Sequence, residues 1–119
     1  MPVPSSVRER IRGFLPAGAQ ISYMFPASWN ETAFFFVVVT EASVTVVSTG
    51  IMSRTRLKAI WHVFPRGVRI GPVDTNLTPV FELGGRQFEV DDEYVPVINA
   101  ADAELLGREA MPPDPFADL

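Results

Sequence analysis

Apolar residues are concentrated most strongly in the middle of the chain, in two β-type runs on either side of a polar turn. Residues 34–40 and 44–49 are rich in phenylalanine, valine and threonine, and residues 41–43 separate them. Two such runs joined by a short turn predict an antiparallel hairpin. The first run is apolar at six successive positions, F-F-F-V-V-V, which predicts a central strand covered on both faces.

Five shorter runs with turn residues between them predict further strands. They cover residues 20–25, 57–64, 68–73, 77–83 and 86–90, with a loop at 26–30. Gly84 and Gly85 have the composition of a two-residue hairpin turn. Seven short strands with tight turns predict a mainly β fold, an antiparallel barrel or sandwich.

A short amphipathic helix is predicted over residues 5–15. Ser6 and Glu9 have the spacing of a capping box, and Pro16 cannot continue a helix. Its apolar stripe consists of Val7, Ile11, Phe14 and Leu15. Because so short a helix is marginal alone, we expect it to dock on the sheet or on another subunit.

A second helix is predicted over residues 92–107, where the apolar period changes from two to about 3.6. Acidic residues at its start suit the helix dipole, Pro96 falls in its first turn, and Gly107 is a plausible stop. The apolar stripe consists of Tyr94, Ile98, Ala101 and Leu105. We expect this helix to cap the β structure, giving one domain over residues 1–110 and a flexible tail over 111–119.

Composition limits the chemistry and the cellular location that the sequence predicts. At 119 residues it can bury a core without staples, and it has no cysteine, which excludes disulfides and thiolate chemistry. The first residues lack the apolar segment of a secretory signal, and the longest apolar run, 33–39, is far short of the roughly 20 residues of a spanning helix. We therefore expect a soluble, cytoplasmic protein, at most peripheral to the inner face of a membrane.

Charge is distributed unevenly along the chain. Residues 1–73 carry eight basic and three acidic side chains, whereas residues 74–119 carry two basic and eleven acidic ones. A basic window, a candidate patch for an anionic membrane surface or an acidic partner, contains Arg54, Arg56, Lys58, Arg66 and Arg69. These charges equally suit a solvated edge strand. The overall pI near 4.9 argues against nucleic acid as a partner.

Catalytic and metal-binding signatures are missing from the sequence. His62 is the only histidine, and the sequence contains neither a nucleophile elbow nor a phosphate-binding loop. The adjacent acidic residues 91–93 lack the spacing of a calcium loop and suit a helix start better. We expect no catalytic residue, cofactor or metal. Trp29, in the predicted loop, is the candidate exposed interaction aromatic, unless it folds back over the barrel mouth.

Three segments resemble the small bacterial pleckstrin-homology-like (PH-like) domains, especially the stand-alone actinobacterial type. They are residues 37–48, 64–73 and 84–90, within a resemblance that spans roughly residues 15–106. The resemblance implies a seven-stranded barrel capped by a C-terminal helix, and a binding module rather than an enzyme. In lipid-binding members, basic residues near the first loop hold inositol phosphates, but residues 26–30 contain no lysine or arginine here.

The sequence and the resemblance together leave three hypotheses about function. The first is a non-enzymatic scaffolding module that mediates protein–protein interaction or self-association, through the N-terminal helix or a sheet edge. The second is peripheral attachment to anionic lipid through the basic window. The third and most remote is a small-ligand carrier or an enzyme with a pocket at the barrel mouth.

Overall fold

The computed structural model describes residues 3–50, 53 and 56–110, and for 106–110 it describes the backbone alone. The fold is mainly β. One curled antiparallel sheet of six strands has the order β4-β3-β2-β1-β6-β5, and two helices accompany it. The elements are α1 (Ser5–Arg12), β1 (Ile21–Trp29), β2 (Ala33–Thr40), β3 (Ser43–Thr49), β4 (Leu57–Pro65), β5 (Val80–Leu83), β6 (Arg86–Glu89), a 3-10 turn (Asp92–Tyr94) and α2 (Val95–Ala110).

The predicted central hairpin is confirmed as β2 and β3. β2 lies between β1 and β3, and every residue from 35 to 40 is buried. At the turn, the Thr40 hydroxyl oxygen accepts hydrogen bonds from the amides of Ala42 (3.3 Å) and Ser43 (3.1 Å). This local side-chain bonding fixes the turn where the polar residues predict it.

The alternation of side chains along β2 produces two separate cores. The inner face of the curled sheet holds the larger core, in which Phe35, Val37 and Val39 pack with the β5–β6 hairpin and α2. Phe36 and Val38 point to the other face, here called the outer face. There α1 covers them with Val7 and Ile11, so the N-terminal helix packs on its own sheet.

The seventh predicted strand, residues 68–73, is not a strand in the structure. The carboxylate of Asp102 in α2 accepts hydrogen bonds from the backbone amides of Ile70 (3.0 Å) and Gly71 (2.7 Å). Ile70 is fully buried in the inner core, and the peptide bond between Gly71 and Pro72 is cis. These amides therefore bond to a helix side chain rather than to a neighbouring strand.

Two predictions in the first third of the chain were wrong, the end of β1 and the capping box of α1, whereas the predicted start of α1 at residue 5 is confirmed. β1 continues through Pro26 to Trp29. The strand tolerates a proline because, among the described residues, β1 pairs with β6 only at Ser28 and Glu89. That leaves one side of the backbone at Pro26 outside any ladder. The predicted capping box does not form: α1 begins at Ser5, has no side-chain cap, and Glu9 bonds to Arg12 instead.

The remaining differences shorten or extend elements. α1 ends at Arg12, and turn-type hydrogen bonds continue to Leu15. β5 begins at Val80 rather than at residue 77. α2 runs through Gly107 to Ala110, so this glycine does not stop the helix. The tail expected over 111–119 lies outside the described residues.

The β5–β6 turn lies against the side chain of Phe64 in β4. Gly84 and Gly85 form the predicted turn with positive φ angles of 63° and 78°. A Cβ atom at Gly84 would lie 2.6 Å from Cζ of Phe64. The glycine is therefore required both by the turn and by the close approach of this ring.

Removing the Asp102 carboxylate should destabilise the domain because it leaves two partly buried backbone amides without an acceptor. We expect Asp102→Ala to lower the free energy of unfolding by about 2 kcal/mol, and Asp102→Asn to lower it less because one oxygen remains. Asn99→Ala, an exposed position on the same helix, is the control. Urea denaturation measures the difference, and equal stability of Asp102→Ala and the control would contradict this role.

Candidate functional site

Strand β4 lies at one edge of the sheet and is its most exposed strand. It pairs with β3 along its length, and in the described part of the chain no strand pairs with its other side. Ile60 is opposite Val47, and Val63 is opposite Thr45, so both lie on the outer face. They are 43% and 51% exposed, so this edge presents apolar side chains to solvent.

A β-bulge at Trp61 explains why these two residues share a face. The pairing passes from Val47↔Ile60 to Val46↔His62 and leaves Trp61 as the extra residue. Residues three apart would otherwise point to opposite faces. The bulge also directs the Trp61 ring inward, where its centroid lies 5.9 Å from those of Phe35 and Phe88.

Trp29 belongs to a stack at the mouth of the curled sheet. Cζ of Arg86 lies 4.8 Å from the ring centroid of Trp29 and 5.0 Å from that of Trp61. The guanidinium thus contacts the last residue of β1 and the bulge of β4 at once. Trp29 remains 39% exposed, so it is partly covered by Arg86 and partly available as a contact surface.

The predicted basic patch is not a single surface in the structure. Arg56, Lys58 and Arg69 are exposed, and Arg54 lies outside the described residues. Arg66 is only 6% exposed, so it does not belong to a surface patch. Its charge and its position in a turn between Pro65 and Gly67 predicted an exposed residue, but the side chain points inward and bonds to α2.

Arg66 instead joins a polar network between β4, α2 and β1. Its Nη2 donates to the carbonyl oxygen of Ala101 (3.1 Å) and lies 3.9 Å from Oε1 of Glu104. The hydroxyl of Tyr23 donates to Oε2 of Glu104 (3.0 Å). This hydrogen bond, followed by burial and the charge of Glu104, raises the pKa of Tyr23. Arg66 therefore holds α2 against the sheet.

Chemistry at the β4 edge is limited. The exposed ring of His62 lies 4.4 Å from that of Phe64, between centroids. Within the described ranges, the acidic and histidine side chains form no group of three that could hold a metal ion. What this edge offers is therefore a strand with free backbone groups, apolar side chains and positive charge at its beginning.

Sequence reasoning missed Ile60, Val63 and Arg86 as surface-forming residues. A strict period of two separates Ile60 from Val63, and only the bulge brings them together. Arg86 looks like an ordinary hairpin residue until folding places Trp29 and Trp61 beside it.

Comparison with protein-family models, with curated proteins and with solved structures finds no match to this chain. In the part of the chain that the structure describes, no helix is both long and apolar enough to cross a bilayer.

Replacing Arg86 should loosen the stack and expose the two indoles. We expect Arg86→Ala to shift tryptophan emission to longer wavelength and to lower the free energy of unfolding by about 1 kcal/mol. Arg86→Lys should give an intermediate result because it keeps the charge but loses the planar group. Arg69→Ala, at an exposed position, is the control. An emission spectrum unchanged by Arg86→Ala would contradict the stacking.

Proposed function

We propose that this chain is a non-enzymatic, PH-like binding module that self-associates through the free edge of β4. Two copies would pair β4 with β4 in antiparallel orientation around a twofold axis, which joins the two sheets. The observation that carries the proposal is the exposure of Ile60 and Val63 on a strand paired on one side alone.

The backbone supports this use of β4. A nine-residue edge strand has a row of amide and carbonyl groups ready for another strand, and exposed apolar residues beside them make the edge associative. Edge protection on β4 consists of Lys58 and Pro65 near the two ends and of the bulge at Trp61, and the exposed apolar residues Ile60 and Val63 lie on either side of that bulge.

Charge supports an antiparallel rather than a parallel pair. Lys58 lies near the beginning of β4, and Ser43 pairs with Pro65, so the turn containing Glu41 lies at the end of β4. Antiparallel pairing separates the two Lys58 side chains and brings each toward the Glu41 end of the other copy. Parallel pairing would place like charges side by side.

The PH-like assignment rests on the order of elements and on the resemblance of the three segments. A curled antiparallel sheet followed by a C-terminal helix that packs on its inner core is consistent with it. The alternative function is attachment to anionic membranes through the basic window. Among the described residues of that window, Arg56, Lys58 and Arg69 are exposed and Arg66 is buried. Fewer cations weaken attraction to a charged surface.

Introducing charge on the β4 face should prevent self-association. We expect the wild-type chain to dimerise with increasing concentration, and the double variant Ile60→Lys, Val63→Lys to weaken dimerisation by more than about tenfold because four lysines would meet at the twofold axis. Leu77→Lys is the matched control, since Leu77 is 90% exposed elsewhere on the surface. Sedimentation velocity over a wide concentration range measures the association.

Two results would contradict the proposal. One is a wild-type chain that stays monomeric over the whole range. The other is equal association of the wild type and the double variant, which would place the interface elsewhere. The variant Glu41→Lys tests the orientation separately: an antiparallel pair should weaken, whereas a parallel pair should not.

A further inference from the structure

A cleft at the mouth of the curled sheet lies between the end of β1, the loop that precedes β5, and strand β6. It encloses about 440 Å³, a volume within the range of small-ligand sites. None of its described lining residues belongs to β4, so the cleft is separate from the edge proposed for self-association. Its polar lining residues are Asn30, Asp74, Asn76, Thr78, Gln87 and Glu89.

Backbone hydrogen bonds hold both walls of this cleft. On one side, the amide of Asp74 donates to the carbonyl oxygen of Val80 (2.8 Å), and the amide of Val80 donates back (3.0 Å). Oδ1 of Asp74 also accepts from the amide of Asn76 (3.0 Å). On the other side, Gln87 and Glu89 alternate to one face of β6, which pairs with β5. The backbone that carries the polar groups is therefore ordered before a ligand binds, which lowers the cost of binding.

Three side-chain amides line the cleft and make no hydrogen bond in the part of the chain that the structure describes. They belong to Asn30, Asn76 and Gln87. An amide both donates and accepts, whereas the ionised carboxylates of Asp74 and Glu89 only accept. Hydroxyl groups can bond to all of these because they also donate and accept. An ammonium group only donates and a carboxylate ligand only accepts, so each satisfies part of the set.

The indole of Trp29 adds an apolar surface beside these polar groups. It lines the cleft and is 39% exposed, and Arg86, which contacts the ring, is not among the described lining residues. A sugar ring has C–H groups that pack on an aromatic side chain and hydroxyl groups around its edge. It can therefore use the indole and the amides together, which neither a plain hydrocarbon nor an inorganic ion can do.

We propose that this cleft binds a neutral carbohydrate, with a sugar ring against Trp29 and its hydroxyl groups bonded to the amides. An anionic ligand would meet Asp74 and Glu89, and the described lining contains no lysine, arginine or histidine to offset them. A metal ion fits less well, since the acidic and histidine residues of the described chain form no group of three that could hold one.

The test is an NMR titration of the full chain with four neutral disaccharides: maltose, cellobiose, lactose and α-mannobiose. We expect at least one of them to shift the indole N–H signal of Trp29 and the side-chain amide signal of Gln87. The side-chain amide of Asn99, which is exposed on α2, should not shift. Because the ligand is uncharged, its affinity should stay the same as salt is raised.

Two variants test the indole and the amides separately. Trp29→Ala should abolish sugar binding. Gln87→Leu should weaken it by about tenfold or more, because a hydroxyl group loses its partner. Asn99→Leu is the matched control, since it removes an exposed amide outside the cleft, and it should leave binding unchanged. Position 87 is exposed, so Gln87→Leu keeps the test decisive even if Trp29→Ala does not fold.

Four outcomes would overturn the proposal. One is the absence of shifts with all four sugars at about 20 mM, which exceeds a millimolar dissociation constant. The others are equal weakening by Gln87→Leu and Asn99→Leu, an affinity that falls steeply with salt, and equal binding of cyclohexylmethanol, which lacks the ring hydroxyls. Binding of adenosine with none of the sugars would make the cleft a nucleoside site and would also overturn it. Sedimentation measures association through β4 independently of all these results.

Discussion

Burial of β2 on both faces is the constraint from which the architecture follows. Six successive residues, 35–40, are buried, so a cover is needed on each side of the sheet. The inner cover comes from sheet curvature, the β5–β6 hairpin and α2, and the outer cover is α1. Because one short helix cannot cover the whole outer face, its margin remains open at β4.

Side chains of α2, rather than a closed ladder, complete the curled sheet. Asp102 binds the amides of Ile70 and Gly71, and Arg66 donates to the carbonyl of Ala101. The Asp102 bonds satisfy two amides that a neighbouring strand would otherwise bind, and the Arg66 bond ties β4 to the helix. The described strands therefore form a half-barrel with two edges, and the β4 edge is the one that carries exposed apolar residues.

Local interactions explain which elements were predictable from sequence. The β2–β3 hairpin and the Gly84–Gly85 turn depend on neighbouring residues, and both were predicted correctly. The strand expected at 68–73 failed because Asp102, about thirty residues away, takes its amides. The assignment of Arg66 to the surface was wrong because its partners also lie far along the chain, on α2. The shared face of Ile60 and Val63 depends on pairing register, which a single strand does not encode.

Hydrogen exchange at low and high protein concentration tests most directly whether the free edge of β4 is where copies meet. Amides of β2 should stay protected at both concentrations because they pair on two sides. In β4, amides that do not bond to β3 should exchange rapidly in dilute protein and become protected as concentration rises. Exchange in β4 that is the same at both concentrations, whether fast or slow, would contradict an interface at this edge.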